Sequence, residues 1–160
     1  MESIVKQPKE ILNVIVFLCR NVTENPVLFN GVFNVFNFEE ARTPFYIVTM
    51  INTISSQRDS FKLKLFIVRK RIDDQPEIGV MVADQSFELK GTNVIRQEDL
   101  ASNFIFTNIK IENFYFPSPG DYQVIACWAD DESQFIQENN KIKVPKDNIA
   151  AIFDFKVIQQ

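Results

Sequence analysis

Between Asn113 and Trp128 the chain reads Asn-Phe-Tyr-Phe-Pro-Ser-Pro-Gly-Asp-Tyr-Gln-Val-Ile-Ala-Cys-Trp, and no other stretch restricts the possible folds as tightly. Pro117 and Pro119 have no amide hydrogen to give to a sheet ladder, and Pro119-Gly120 couples a preset φ to a permissive next residue. From Asp121 onward the pattern has period two, with Tyr122, Val124, Ala126 and Trp128 on one parity. This is a structural corner, Pro119, Gly120 and Tyr122, leading into a sheet strand. Trp128 and its parity partners are expected against an opposing sheet. Gln123, Ile125 and Cys127 face the other way and are only partly polar, a face that a loop, another strand or another subunit could cover.

The rest of the chain repeats the theme of short apolar runs separated by polar turns. Ile11–Cys19 is β-branched and apolar on both faces, as a central strand is, and Asn21–Pro26 reads as a connection. Val27–Phe38 reads as one strand, in which Asn30-Gly31 is either a tight hairpin turn or, as the strand lengths favour, a strand glycine that lets another backbone approach. Phe45–Ile54 is a second buried strand. In Phe61–Arg69, Phe61, Leu63, Leu65 and Ile67 share one face and Lys62 and Lys64 the other. Ile78–Val82 and Phe87–Leu89 read as two short strands or one bent strand. Between Phe104 and Phe116 the apolar parity slips near Asn108 and near Asn113, which predicts a bulge or a turn at each. Ser133–Val144 fits a hairpin broken at Asn139-Asn140. Asn148–Ile158 fits a helical turn followed by a strand with Phe153, Phe155 and Val157 on one side. Only Gln97–Asn103 favours a helical turn internally, and it is too short for more than a connector.

About eight or nine short strands without a long helix predict an all-β fold, an antiparallel β-sandwich of immunoglobulin-like or related Greek-key type with at most one short helix. A barrel is the second choice. At 160 residues the chain suits one domain, residues 11–160, after a flexible N-terminal segment, residues 1–10. The 16 Phe against three Tyr and one Trp predict a core rich in rings that need no hydrogen-bond partner.

Composition narrows the function classes. There is no histidine, which removes the commonest general base and metal ligand. A net charge of −4 with scattered basic residues argues against nucleic acid, and Arg69-Lys70-Arg71 is followed at once by Asp73-Asp74. Ile11–Cys19 is too short to span a bilayer and lacks a small-residue cleavage site or lipobox, so a cytoplasmic protein without membrane contact is expected. Cys19 and Cys127 read as reduced, buried thiols rather than nucleophiles, because apolar strands disfavour the thiolate. Asp73-Asp74 and Asp130-Asp131-Glu132 invite a calcium reading, but their spacing fits no local loop motif and solvated turn tips explain them. Glu88, Glu112 and Asp154 are isolated at outward parities, so no carboxylate pair for glycoside hydrolysis is expected. Tyr115 and Trp128 are the candidates for a binding surface, as rings that stack on sugars, although the parity of Trp128 favours the core.

Four segments in order carry a resemblance: Cys19-Arg20-Asn21-Val22 after an apolar strand, Asn30-Gly31-Val32-Phe33-Asn34 in the next, Pro44-Phe45 opening a third, and Phe116-x-x-Pro119-Gly120-Asp121-Tyr122 before a late strand. Together they resemble an uncharacterised family of small bacterial β-sandwich proteins. The resemblance implies a sandwich and no known activity, and it carries over no catalytic or binding residue. The Pro-Gly-x-Tyr corner is similar to that of immunoglobulin-like domains, where the tyrosine bonds back to the corner backbone. Cys127 falls five residues after Tyr122 rather than two, so the inter-sheet disulfide of those domains is not expected. The sequence therefore predicts a non-enzymatic protein without cofactor or metal, acting through contacts with an unknown protein partner or as a homo-oligomer. The alternative is a module that binds carbohydrate or small molecules.

Overall fold

A computed structural model describes residues 12–24, 27–37, 43–53, 60–69, 78–88, 104–129, 136–138, 141–143 and 146–159. The expectations for residues 1–10, Lys70-Arg71, Asp73-Asp74, Gln97–Asn103 and Asp130-Asp131-Glu132 lie outside them. In chain order the strands are β1 (Leu12–Glu24), β2 (Val27–Phe33), β3 (Val35–Asn37), β4 (Phe45–Thr53), β5 (Ser60–Arg69), β6 (Ile78–Glu88), β7 (Phe104–Ile111), β8 (Gly120–Ala129), β9 (Ile136–Glu138), β10 (Lys141–Lys143) and β11 (Ile149–Ile158). A 3₁₀ turn at Lys146–Asn148 leads into β11.

The strands form a first sheet of order β2-β1-β4-β7, a second of order β3-β11-β8-β5-β6, and a β9–β10 hairpin. One core between the two sheets joins Val16, Leu18, Phe45, Ile47, Ile51 and Ile111 of the first to Leu63, Leu65, Ile67, Tyr122, Val124, Trp128, Phe155 and Val157 of the second. The fold is thus an all-β sandwich, as the alternating patterns predict. It is not wholly antiparallel. The three-residue β3 runs parallel to β11, with Lys156 opposite Val35, because the chain leaves the first sheet after Phe33 and crosses to the second at Asn34. The Lys156 amide donates to the Asn34 carbonyl at 2.8 Å at that crossing.

Several strand limits differ from the sequence reading. β1 runs on through Glu24, which pairs with Val27 of β2, where a connection is expected from Asn21. Val27–Phe38 is not one strand but two strands in different sheets. β6 is a single strand whose register shifts opposite Leu65 and Phe66. The parity slip at Asn113 is a bend just past the end of β7, with φ of 55° in the left-handed region that asparagine tolerates. The slip at Asn108 is neither turn nor bulge, since β7 pairs with β4 in unbroken register from Phe104 to Ile111. It arises because Phe106 points away from the core.

The second sheet has an apolar outer surface too. Phe66, Val68, Ile125 and Cys127 are buried there and pack with Ile149. A register shift between Ile149 and Ala151 turns Ile149 out of the inward parity of β11 and sets it opposite Cys127. The cover of the Ile125–Cys127 parity therefore comes, at least at Ile149, from the chain itself.

Candidate functional site

The corner is where the chain passes from β7 in the first sheet to β8 in the second. Phe114 and Phe116 lie 4.7 Å apart, and Phe116 meets Tyr122 edge-on at 5.1 Å. The Tyr122 ring stacks on Phe155 at 5.6 Å, and its hydroxyl donates to the Ser118 carbonyl at 2.6 Å. Arg69, paired opposite Tyr122 and buried despite its charge, donates from Nη1 to Ser118 Oγ at 2.8 Å. Gly120 has φ of 152°, a conformation that side-chain-bearing residues rarely adopt. Pro119, Gly120 and Tyr122 thus bind the crossing to the sheet. Burial raises the Tyr122 phenol, partly offset by its bonds to Ser118 and the nearby Arg69 charge.

Tyr115 and Trp128 do not share a surface. Tyr115 is 69% exposed on the segment before the corner. Trp128 is 3% exposed and belongs to the inter-sheet core, six residues along β8 from Tyr122, or about 20 Å of strand. It offers no ring face to a ligand and leaves the candidate surface, because its parity is that of the core-facing Tyr122 and Val124.

The two cysteines are free and buried. Cys19 sits on the outward parity of β1 and Cys127 on that of β8, so the whole sandwich separates them. Burial pushes the Cys127 thiol up to about 12. It raises Cys19 as well, against a smaller opposing effect of the Asn21 carbonyl, which accepts from Sγ at 3.5 Å. Neither thiol is poised to act as a nucleophile. No group of three or more His, Cys, Asp or Glu side chains suited to a metal occurs among the described residues.

Two surface features escape the sequence reading. The first is the outer face of the first sheet, where Ile15, Met50 and Phe106 are cross-strand neighbours on β1, β4 and β7. Ile15 is 55% and Phe106 45% exposed, while Val48 in the adjoining row is fully buried. The adjoining aromatic is Phe29, which meets Phe17 edge-on at 5.2 Å and Phe106 at 6.2 Å. Phe29 of β2 therefore lies over this face. Gly31 accommodates the close approach of β2 to β1, with φ of 69° and an ideal Cβ position only 3.1 Å from Arg20 Cβ. Arg20 in turn lies over the Phe33 and Phe36 rings at 4.5 and 5.1 Å.

The second is a cleft of about 320 Å³ lined by Asn34, Val35, Asp121, Asp154, Phe155 and Lys156, at the polar end of the second sheet's outer face. It forms where β3 joins β11 and β8. Lys156 is the register partner of both Val35 and Asp121, and Gln123 Nε2 donates to Asp154 Oδ1 at 2.9 Å. The signal in the sequence is the outward run Asp154, Lys156 on β11 facing Asp121, Gln123 on β8, legible only once those strands are known to be neighbours.

No protein-family model and no curated protein matches the chain. Among solved structures it is similar to a β-glucosidase from Listeria innocua in complex with glucose, at 8% identity over 91% of this chain and a TM-score of 0.49. A mutant of that enzyme in complex with laminaribiose gives 7% identity and a TM-score of 0.48. The chain spans 16% of the length of these proteins. At that level the likeness carries no functional argument.

Proposed function

We propose that this is a non-enzymatic sandwich protein that acts through protein contacts, and that the outer face of its first sheet is the contact surface, with a second copy of the chain as partner. The observation that supports the reading is the row Ile15, Met50 and Phe106, an apolar stripe across three adjacent strands with its two ends about half exposed. Removing such a stripe from water is favourable by about 25 cal/mol for each Å² of apolar surface. An isologous two-fold interface needs a patch complementary to itself, and an uncharged apolar stripe meets that need. At the far end of β7 Lys110 is held by Glu112 at 3.0 Å, so two copies meeting on this face oppose no unbalanced charge from that pair.

The setting that fits is the bacterial cytoplasm: the bacterial part rests on the resemblance of the four sequence segments, and the compartment on two free, buried cysteines, which suit a reducing environment. A dilution series followed by amide NMR tests the surface. Signals of Ile15, Met50 and Phe106 are expected to move with concentration while those of Asp121 and Asp154 stay fixed. A spectrum independent of concentration contradicts self-association, and movement confined to other residues contradicts the choice of face.

A further inference from the structure

We propose that the cleft between β3, β11 and β8 binds a neutral, hydroxyl-rich small molecule of about one sugar ring in size. This site is independent of the contact surface above, since it lies on the outer face of the other sheet. Its volume of about 320 Å³ is at the small end for ligand pockets, which start near about 300 Å³, and suits one ring rather than a chain. Its polar groups are of both kinds. The Asp121 and Asp154 carboxylates accept, the Lys156 ammonium donates, and the Asn34 amide does both.

This mixture selects the chemistry. An anion would meet two carboxylates, and a protonated amine, which carries positive charge and only donates, would meet the Lys156 ammonium. A hydroxyl donates and accepts at once, so it is complementary to both. Lys156 Nζ and Asp121 Oδ1 form a long, exposed ion pair at 3.8 Å, and a hydroxyl beside the pair can accept from the ammonium and donate to the carboxylate. The walls are positioned in advance. Gln123 orients Asp154 at 2.9 Å, and the Lys156 amide fixes the Asn34 carbonyl at 2.8 Å. Val35, 44% exposed, supplies an apolar side for the C–H face of a ring.

Amide NMR titration of the full chain tests the proposal, with D-glucose and myo-inositol as neutral probes and putrescine and inorganic phosphate as charged ones. Saturable shifts at Asp121, Asp154 and Lys156 with a millimolar midpoint are expected for at least one neutral probe. The midpoint should rise about tenfold in Asn34→Ala and in Asp154→Asn, two substitutions of exposed side chains whose folding the same spectra report. The absence of saturable shifts with both neutral probes overturns the proposal. So does an equal or stronger response to putrescine or phosphate, or a midpoint unchanged in both folded variants.

Discussion

The Tyr122 hydroxyl donates to the carbonyl oxygen of Ser118 at 2.6 Å, tying the first residues of β8 to the loop that brings the chain across from the other sheet. Arg69 holds the same serine by its side chain, so two strands of the second sheet grip one residue of the crossing. Tyr122→Phe leaves the ring against Phe116 and Phe155 and removes only the hydroxyl. It should cost about 1 to 2 kcal/mol, the loss of one partly buried hydrogen bond with its acceptor left behind. Tyr122→Ala also opens a cavity and should cost about 3 to 5 kcal/mol. Urea unfolding of both variants checks the difference, and equal costs would mean that the hydroxyl bond contributes little.

The corner was legible in the sequence because its signals are local: prolines, a glycine, and a tyrosine at the right parity. The inward faces of β5, β8 and β11 were legible for the same reason, since period two places Leu63, Val124 and Phe155 without reference to anything distant. Parity does not say which sheet a strand joins, so the switch at Asn34 leaves no mark on the pattern, and Val27–Phe38 reads as one strand. Nor does it separate a bulge from an apolar residue turned outward, and Phe106 is the latter. The outer stripe and the cleft both depend on which strands are neighbours, a matter of topology that spacing along the chain does not encode.

Gly31 is the second place where backbone geometry decides. Gly31→Ala would hold an L-residue at φ of 69° and set a methyl group 3.1 Å from Arg20 Cβ. A loss of about 1 to 3 kcal/mol is expected from the strained conformation. Thermal unfolding measures it, and an unchanged midpoint would show that β2 shifts without penalty.

The buried thiols give stability an alkaline limit. Burial lifts Cys127 from an ordinary 9.0 to about 12, so the folded state holds its proton more tightly than the unfolded chain. The stability this contributes is complete below about pH 9 and is lost as pH rises toward about 12. Cys19 and Tyr122 act in the same direction. Urea midpoints measured across this range should fall with pH, and Cys127→Ala should flatten the fall while lowering stability at neutral pH. A fall of the same steepness in the variant would assign the limit to other groups.

Trp128, the chain's one tryptophan and 3% exposed, reports on the core. Its native emission should be blue-shifted and poorly quenched by iodide, and should move to the red on unfolding. Emission typical of a hydrated indole in the native protein would contradict its place between the sheets.

The central claim is that the outer face of the first sheet brings two copies together, and sedimentation velocity of the wild type beside Phe106→Glu and Ile15→Lys measures it most directly. Both side chains are about half exposed, so the variants should fold. The wild type is expected to move from monomer to dimer as concentration rises, and both variants to remain monomeric at every concentration. A wild type that stays monomeric throughout, or variants that dimerise as the wild type does, would contradict the claim.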